Sequence, residues 1–202
     1  MSDVYYTLKG AGESQYKEKM SRFLSFALPV ESGEEAKGIV KRYQNEYHDA
    51  RHVCWAYMIG PDRSEWQLND NGEPSGTAGK PILGQINSRN LTNTLVVVVR
   101  YFGGIKLGTP GLIAAYREAA SLALDEAGVK EMRRMAVVGI RFPYVGAEGV
   151  MRIVKGNNVE VRERTFDNTC GMTLAFPMDD RDEIMGRLLK TDGVSVVSEC
   201  EE

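Results

Sequence analysis

The chain is short of cysteine, of histidine, of long apolar runs and of surplus positive charge, and each shortage closes a class of explanation. Its three cysteines, Cys54, Cys170 and Cys200, are odd in number and far apart in 202 residues. Neither a disulfide framework nor a zinc ribbon is therefore expected, and a reducing compartment suits the chain. The only histidines are His48 and His52. The longest purely aliphatic run, Leu95-Val96-Val97-Val98-Val99, falls far short of the about 20 residues that cross a bilayer. The start, Met1-Ser2-Asp3-Val4-Tyr5, has no basic n-region and no apolar h-region, so no signal peptide, no membrane contact and a cytoplasmic location are expected. Net charge is −3; residues 1–131 hold 15 Lys+Arg against 16 Asp+Glu, and residues 132–202 hold 10 against 12. Bulk charge alone does not make a polyanion binder of either half, though a local basic face is compatible with these numbers.

What the chain does have is glycine, gathered in two places. Asn69-Asp70-Asn71-Gly72-Glu73-Pro74-Ser75-Gly76-Thr77-Ala78-Gly79-Lys80-Pro81 and Arg100-Tyr101-Phe102-Gly103-Gly104-Ile105-Lys106-Leu107-Gly108-Thr109-Pro110-Gly111 together hold seven glycines beside charged and hydroxylic residues. Glycine weakens regular structure, so such loops imply left-handed turns or a close approach of backbone to something else.

The remaining pattern is that of an α+β protein. Residues 17–30, aromatic and aliphatic up to Pro29, read as a strand. Ser32-Gly33-Glu34-Glu35 has the spacing of a capping box, with Ala36, Ile39, Val40, Tyr43 and Tyr47 at helical spacing behind it. Residues 52–59 and 64–68 read as strands about the turn Gly60-Pro61-Asp62. A short helix is expected over 77–89, a buried strand over 94–100, and a helix over 111–127 with Thr109 as N-cap, Pro110 at its first position and Gly128 as its stop. After a charged stretch at 130–134 the rhythm changes. Strands over 135–142, 158–165, 172–176 and 194–198 alternate with helices over 145–155 and 179–190, the latter capped by Asp179. This is the βαββαβ order of a ferredoxin-like domain, and it places a boundary between residues 1–131 and 132–202.

Four features carry possible chemistry. The segment 69–81 is not a Walker A loop, because Pro74 and Pro81 stand where glycine and a Mg²⁺-binding hydroxyl are needed. Its amides near Thr77 to Lys80 would hold a phosphate or carboxylate, or else the segment is a rigid turn. Ser75 lacks the Gly-x-Ser-x-Gly setting of a nucleophile elbow. His48 and His52 share a face only if the helix continues through them, and no third ligand accompanies them; polar surface or hydrogen bonding between loops is the ordinary fate of such a pair. Arg100 closes the interior strand next to a glycine turn, well placed to meet an anion. Lys80, Arg89 and Lys106 would join it in a basic patch, with Tyr101 and Phe102 as stacking faces. The plainer reading buries Phe102 in the core and pairs Arg100 with Asp70 or Glu73.

At these residues the chain resembles the YigZ/IMPACT (UPF0029) family. The resemblance is carried by 48–57 (His48-Asp49-Ala50-Arg51-His52-Val53-Cys54-Trp55-Ala56-Tyr57), by 70–81 and by 84–108, and it covers residues 17–128. It implies an N-terminal fold like ribosomal protein S5 domain 2, a C-terminal ferredoxin-like domain, and together a likeness to domains IV and V of elongation factor G. It also implies a link to translation, since the eukaryotic IMPACT domain regulates translation by competing for a partner of an initiation-factor kinase. The expectation is thus a non-catalytic binding protein for RNA or a ribosome-associated protein, with no cofactor and no metal; the sequence leaves the oligomeric state open. Its expected contact residues are Arg100, Lys106, Lys80, Ser75, Gly76, Thr77, Gly79, Gly103 and Gly104, with His48, His52, Asp70, Glu73 and Tyr101 as a second set. The alternatives are an enzyme using His48 or His52 with Asp70 or Glu73 as acid–base groups, and a protein–protein module with no ligand of its own.

Overall fold

The structure, a computed structural model, describes residues 3–166 and 169–201. It divides into two compact units, one of residues 5–132 and one of residues 133–202 with 1–4.

The larger unit is built on a five-stranded sheet: β2 (Gly12–Glu18), β3 (Ser21–Pro29), β4 (His52–Ile59), β5 (Glu65–Asn69) and β6 (Thr94–Tyr101), in the order β2-β3-β6-β4-β5. Every neighbouring pair is antiparallel. β1 (Val4–Leu8) and β7 (Val129–Arg133) form a separate two-stranded sheet. The interior strands β4 and β6 read as continuous apolar runs because both of their faces are covered. Helix α1 (Gly33–Glu46) packs Ala36, Val40 and Tyr43 on the face that carries Val53, Trp55, Tyr57, Leu95, Val97 and Val99. Helices α2 (Gly79–Ser88) and α3 (Gly108–Ala127) cover the opposite face, which carries Cys54, Ala56, Met58, Val96 and Val98. α3 lies close on the sheet: a Cβ at Gly12 would fall 2.3 Å from the Ala123 carbonyl oxygen.

Several expected boundaries move. Residues 17–30 are not one strand but the two arms of a hairpin, turned at Lys19 and Met20 with φ of 43° and 68°. Positive φ at both turn residues suits the twist of a two-residue hairpin; the turn was illegible because it contains neither glycine nor asparagine. The Ser32 hydroxyl does cap α1, accepting from Glu35 N at 3.2 Å, while Glu35 reaches back one residue further than a capping box requires, to Glu31 N at 2.7 Å. α3 starts earlier than expected, at Gly108, with Thr109 and Pro110 inside its first turn and Leu107 as an N-cap that offers no side-chain bond.

The smaller unit runs β8 (Met135–Phe142), α4 (Ala147–Gly156), β9 (Glu160–Phe166), β10 (Cys170–Pro177), α5 (Arg181–Leu188) and β11 (Ser195–Glu201), with a 3₁₀ turn before each helix. Its sheet is antiparallel, ordered β11-β8-β10-β9. The two helices cover one face and enclose Val138, Ile140, Phe142, Leu174, Phe176, Ile184 and Leu188. Asp179 does not cap α5; it lies in the 3₁₀ turn, and the N-cap position falls to Asp180 without a side-chain bond.

Candidate functional site

Strand register decides the site. His52, the first residue of β4, stands directly opposite Arg100 on β6. Side chains alternate along a strand, so both share the face of Cys54, Ala56, Val96 and Val98, the face that α3 covers. Both are buried, His52 at 9% and Arg100 at 5% exposure. A buried guanidinium demands a counter-charge, and Glu73 supplies it from the glycine-rich 69–81 segment. Glu73 Oε1 accepts from Arg100 Nη1 at 2.6 Å and from the Tyr116 hydroxyl of α3 at 2.8 Å. His52 Nε2 lies 3.9 Å from the same oxygen.

The loop that delivers Glu73 is held by its own backbone. Asp70 folds its carboxylate under the turn and accepts from the amides of Gly76 (2.8 Å), Ala78 (3.0 Å) and Gly79 (2.8 Å). Thr77 donates its amide and its hydroxyl to the Pro74 carbonyl, at 3.0 and 2.7 Å. The amide row expected to receive an outside anion is therefore filled by a side chain of the same loop. Asn71 ties the loop to β4: its Oδ1 accepts from Val53 N at 2.8 Å, and its carbonyl oxygen is 2.9 Å from His52 Nδ1. A carbonyl only accepts, so Nδ1 carries the proton, and in the neutral ring Nε2 keeps its lone pair. Below this layer Cys54 Sγ lies 3.3 Å from the Tyr116 hydroxyl and 3.0 Å from the Asp70 carbonyl. Burial pushes the Cys54 thiol and the Tyr116 phenol far above their ordinary values, so both remain protonated donors.

Above the cluster opens a cleft of about 470 Å³. Arg51 and Lys106, both exposed, stand on its rim. Phe102, Leu107 and Leu112 make its apolar wall, and the start of α3 at Gly108 and Thr109 faces it. Phe102 is thus not a core residue. It is 42% exposed, and the Arg100 guanidinium sits 5.6 Å from its ring centroid.

Of the expected residues, Arg100, Glu73, His52 and Lys106 come together here, and Asp70 supports them from below. The two glycine-rich segments do meet. Gly103 passes directly over the hairpin turn of β2 and β3, and its amide donates to Ser21 Oγ at 3.4 Å; Gly104, at φ 89°, is an exposed turn residue. Gly76 and Lys80 line a different depression with Gln85 and Arg117, and Ser75 is exposed. Tyr101 points to the other face of β6, its hydroxyl donating to Asp49 at 2.9 Å and its ring lying under Arg22. His48, exposed in the turn that follows α1, does not line the cleft. Sequence reasoning missed Arg51, Leu107, Thr109 and Tyr116. Only the last two left a signal, Thr109 as a hydroxyl at a helix start and Tyr116 as a polar-tipped ring on the apolar face of α3. Among the described residues no helix is long and apolar enough to cross a membrane.

The Impact N-terminal domain family matches residues 19–124. The chain is 42% identical over 144 residues to the IMPACT family member YvyE of Bacillus subtilis, covering 71% of this chain and 66% of that one. It is 44% identical to the IMPACT family member YigZ of Escherichia coli, over 54% of each. An IMPACT family member of Thermus thermophilus is 34% identical over 78% of this chain and 84% of its own. The match to the first two thus spans between about half and two thirds of their length. A crystal structure described as that of a hypothetical protein superposes with a TM-score of 0.71 at 27% identity, covering 98% of both chains.

Proposed function

Because this chain belongs to the IMPACT family, we propose that it is a non-catalytic, cytoplasmic binding protein linked to translation, and that its contact surface is the cleft where the two glycine-rich segments meet. In this reading residues 1–131 form the S5 domain 2-like domain that carries the cleft, and residues 132–202 form a ferredoxin-like domain. The ligand is RNA. One observation supports this above the rest: Arg51, Arg100 and Lys106 line one cleft against the single carboxylate of Glu73, with the ring of Phe102 beside Arg100. Cations beside an accessible aromatic face are what single-stranded RNA readers use, charge for phosphate and ring for base.

The test is fluorescence anisotropy with short single-stranded and structured RNAs at several salt concentrations. Binding is expected to favour single strands and to weaken by about tenfold in Phe102→Ala, the ordinary worth of one stacked base. No binding, or binding that Phe102→Ala and Lys106→Ala leave unchanged, would remove the RNA reading. A protein partner retained from extract after nuclease treatment would support the protein–protein module instead.

The 3.9 Å approach of His52 to Glu73 favours a second reading, an enzyme that uses this pair as acid and base on an anion bound in the cleft. Mass spectrometry of RNA after prolonged incubation decides it. Strands recovered chemically unchanged count against catalysis on RNA.

A further inference from the structure

We propose that the cleft is shaped for a phosphomonoester on a nucleoside, either a free nucleoside monophosphate or the phosphorylated end of an RNA strand. The inference rests on reading the cleft as the contact surface.

Three observations lead to it. The first is a buried donor with unused hydrogen-bonding capacity on the cleft. Arg100 is 5% exposed, and its Nε has no partner. Buried donors without acceptors are rare, because the desolvation of each goes uncompensated. A ligand oxygen in the cleft would relieve it. The second is the start of α3. Its first-turn N–H groups have no intrahelical acceptor, its N-cap Leu107 offers none, and no acidic residue stands in that turn. Gly108 and Thr109 of that turn line the same cleft, and the helix dipole there favours negative charge. The third is the charge balance. Arg51, Arg100 and Lys106 exceed Glu73 by two charges, which matches a phosphomonoester dianion better than the single charge of an internal phosphodiester.

The apolar wall of Phe102, Leu107 and Leu112 then takes the base and ribose. The cavity of about 470 Å³ lies within the range of roughly 300–1,000 Å³ usual for small-molecule sites. Phosphate would lie between the α3 start and Arg100, with Arg51 and Lys106 closing over it from the rim.

The experiment compares one short RNA sequence, labelled internally, in three forms: phosphate at the 5′ end, phosphate at the 3′ end, and hydroxyl at both. Adenosine 5′-monophosphate, adenosine and inorganic phosphate serve as competitors. One phosphorylated form is expected to bind about tenfold or more tighter than the hydroxyl form, the worth of one or two charge-assisted bonds. Adenosine 5′-monophosphate is expected to compete where adenosine does not. If it competes as well as the phosphorylated strand, the ligand is the free nucleotide; if the strand is tenfold better, the ligand is the strand end. Lys106→Ala is expected to erase most of the preference, and Phe102→Ala to weaken all forms together. Equal binding of the three RNAs, still weakened by Phe102→Ala, would overturn the monoester and leave the cleft reading standing. Inorganic phosphate competing as well as adenosine 5′-monophosphate would overturn the nucleoside part. Binding indifferent to every cleft variant would overturn the underlying reading as well.

Discussion

The Glu73 side chain is 3% exposed, and two groups hold it: the Arg100 guanidinium at 2.6 Å and the Tyr116 hydroxyl at 2.8 Å. Arg100 is as dependent on Glu73 as Glu73 is on it. In water the pair would be worth little, but here neither partner can be removed without leaving the other buried and uncompensated. Glu73→Ala is accordingly expected to destabilise the chain by about 3–5 kcal/mol, whereas Glu73→Leu combined with Arg100→Met is expected to lie much closer to the original stability. Urea unfolding followed by circular dichroism measures both. A single variant costing under about 1 kcal/mol would mean that water reaches the pair.

β4 and β6 position the cluster, and the hairpin of β2 and β3 fixes the turn beside it. After β6 the chain crosses the Lys19–Met20 turn so closely that a Cβ at Gly103 would fall 2.1 Å from the Met20 carbonyl carbon and oxygen, whereas one at Gly104 would meet nothing within 4 Å. The two neighbouring glycines are therefore present for different reasons, one for space and one for its φ of 89°. Gly104→Ala is expected to cost about 1–2 kcal/mol, the penalty of a left-handed residue. Gly103→Ala is expected to cost more, since backbone must move, and to weaken ligand binding as the Phe102 wall shifts with it; thermal melts paired with anisotropy check the order. Equal costs at the two sites would mean the crossing is looser than described. This contrast explains what was legible beforehand. Apolar runs, the Ser32 cap and the Gly128 stop are local signals, so α1, β4, β6 and the end of α3 could be read within a few residues. The Lys19–Met20 turn has no local signal. The pairing of His52 with Arg100, 48 positions apart, exists only through sheet register. Glu73 could be matched to Arg100 from sequence as one of two candidate acids; that Asp70 would turn inward to hold the loop's amides could not.

Over the whole molecule the charge is −3, so any attraction for RNA must be local, and salt dependence measures how local. Each phosphate neutralised on a single strand contributes a slope of about −0.7 in log affinity against log salt. The cleft presents Arg51, Arg100 and Lys106, with Glu73 already paired to Arg100, which leaves a surplus of two charges. The expected slope is therefore about −1.4, and affinity should fall about sevenfold between 50 and 200 mM salt. Lys106→Ala should flatten the slope by about 0.7 if that lysine meets phosphate, while Phe102→Ala should lower affinity and leave the slope alone, because stacking releases no counterions. A slope steeper than about −3 would mean that phosphates are also met outside the cleft, with Lys17 and Arg22, which line a depression with Phe102, the cations to test by substitution. A slope near zero, with binding intact, would mean that the cations of the cleft do not touch phosphate and that the ligand is held by its apolar surface.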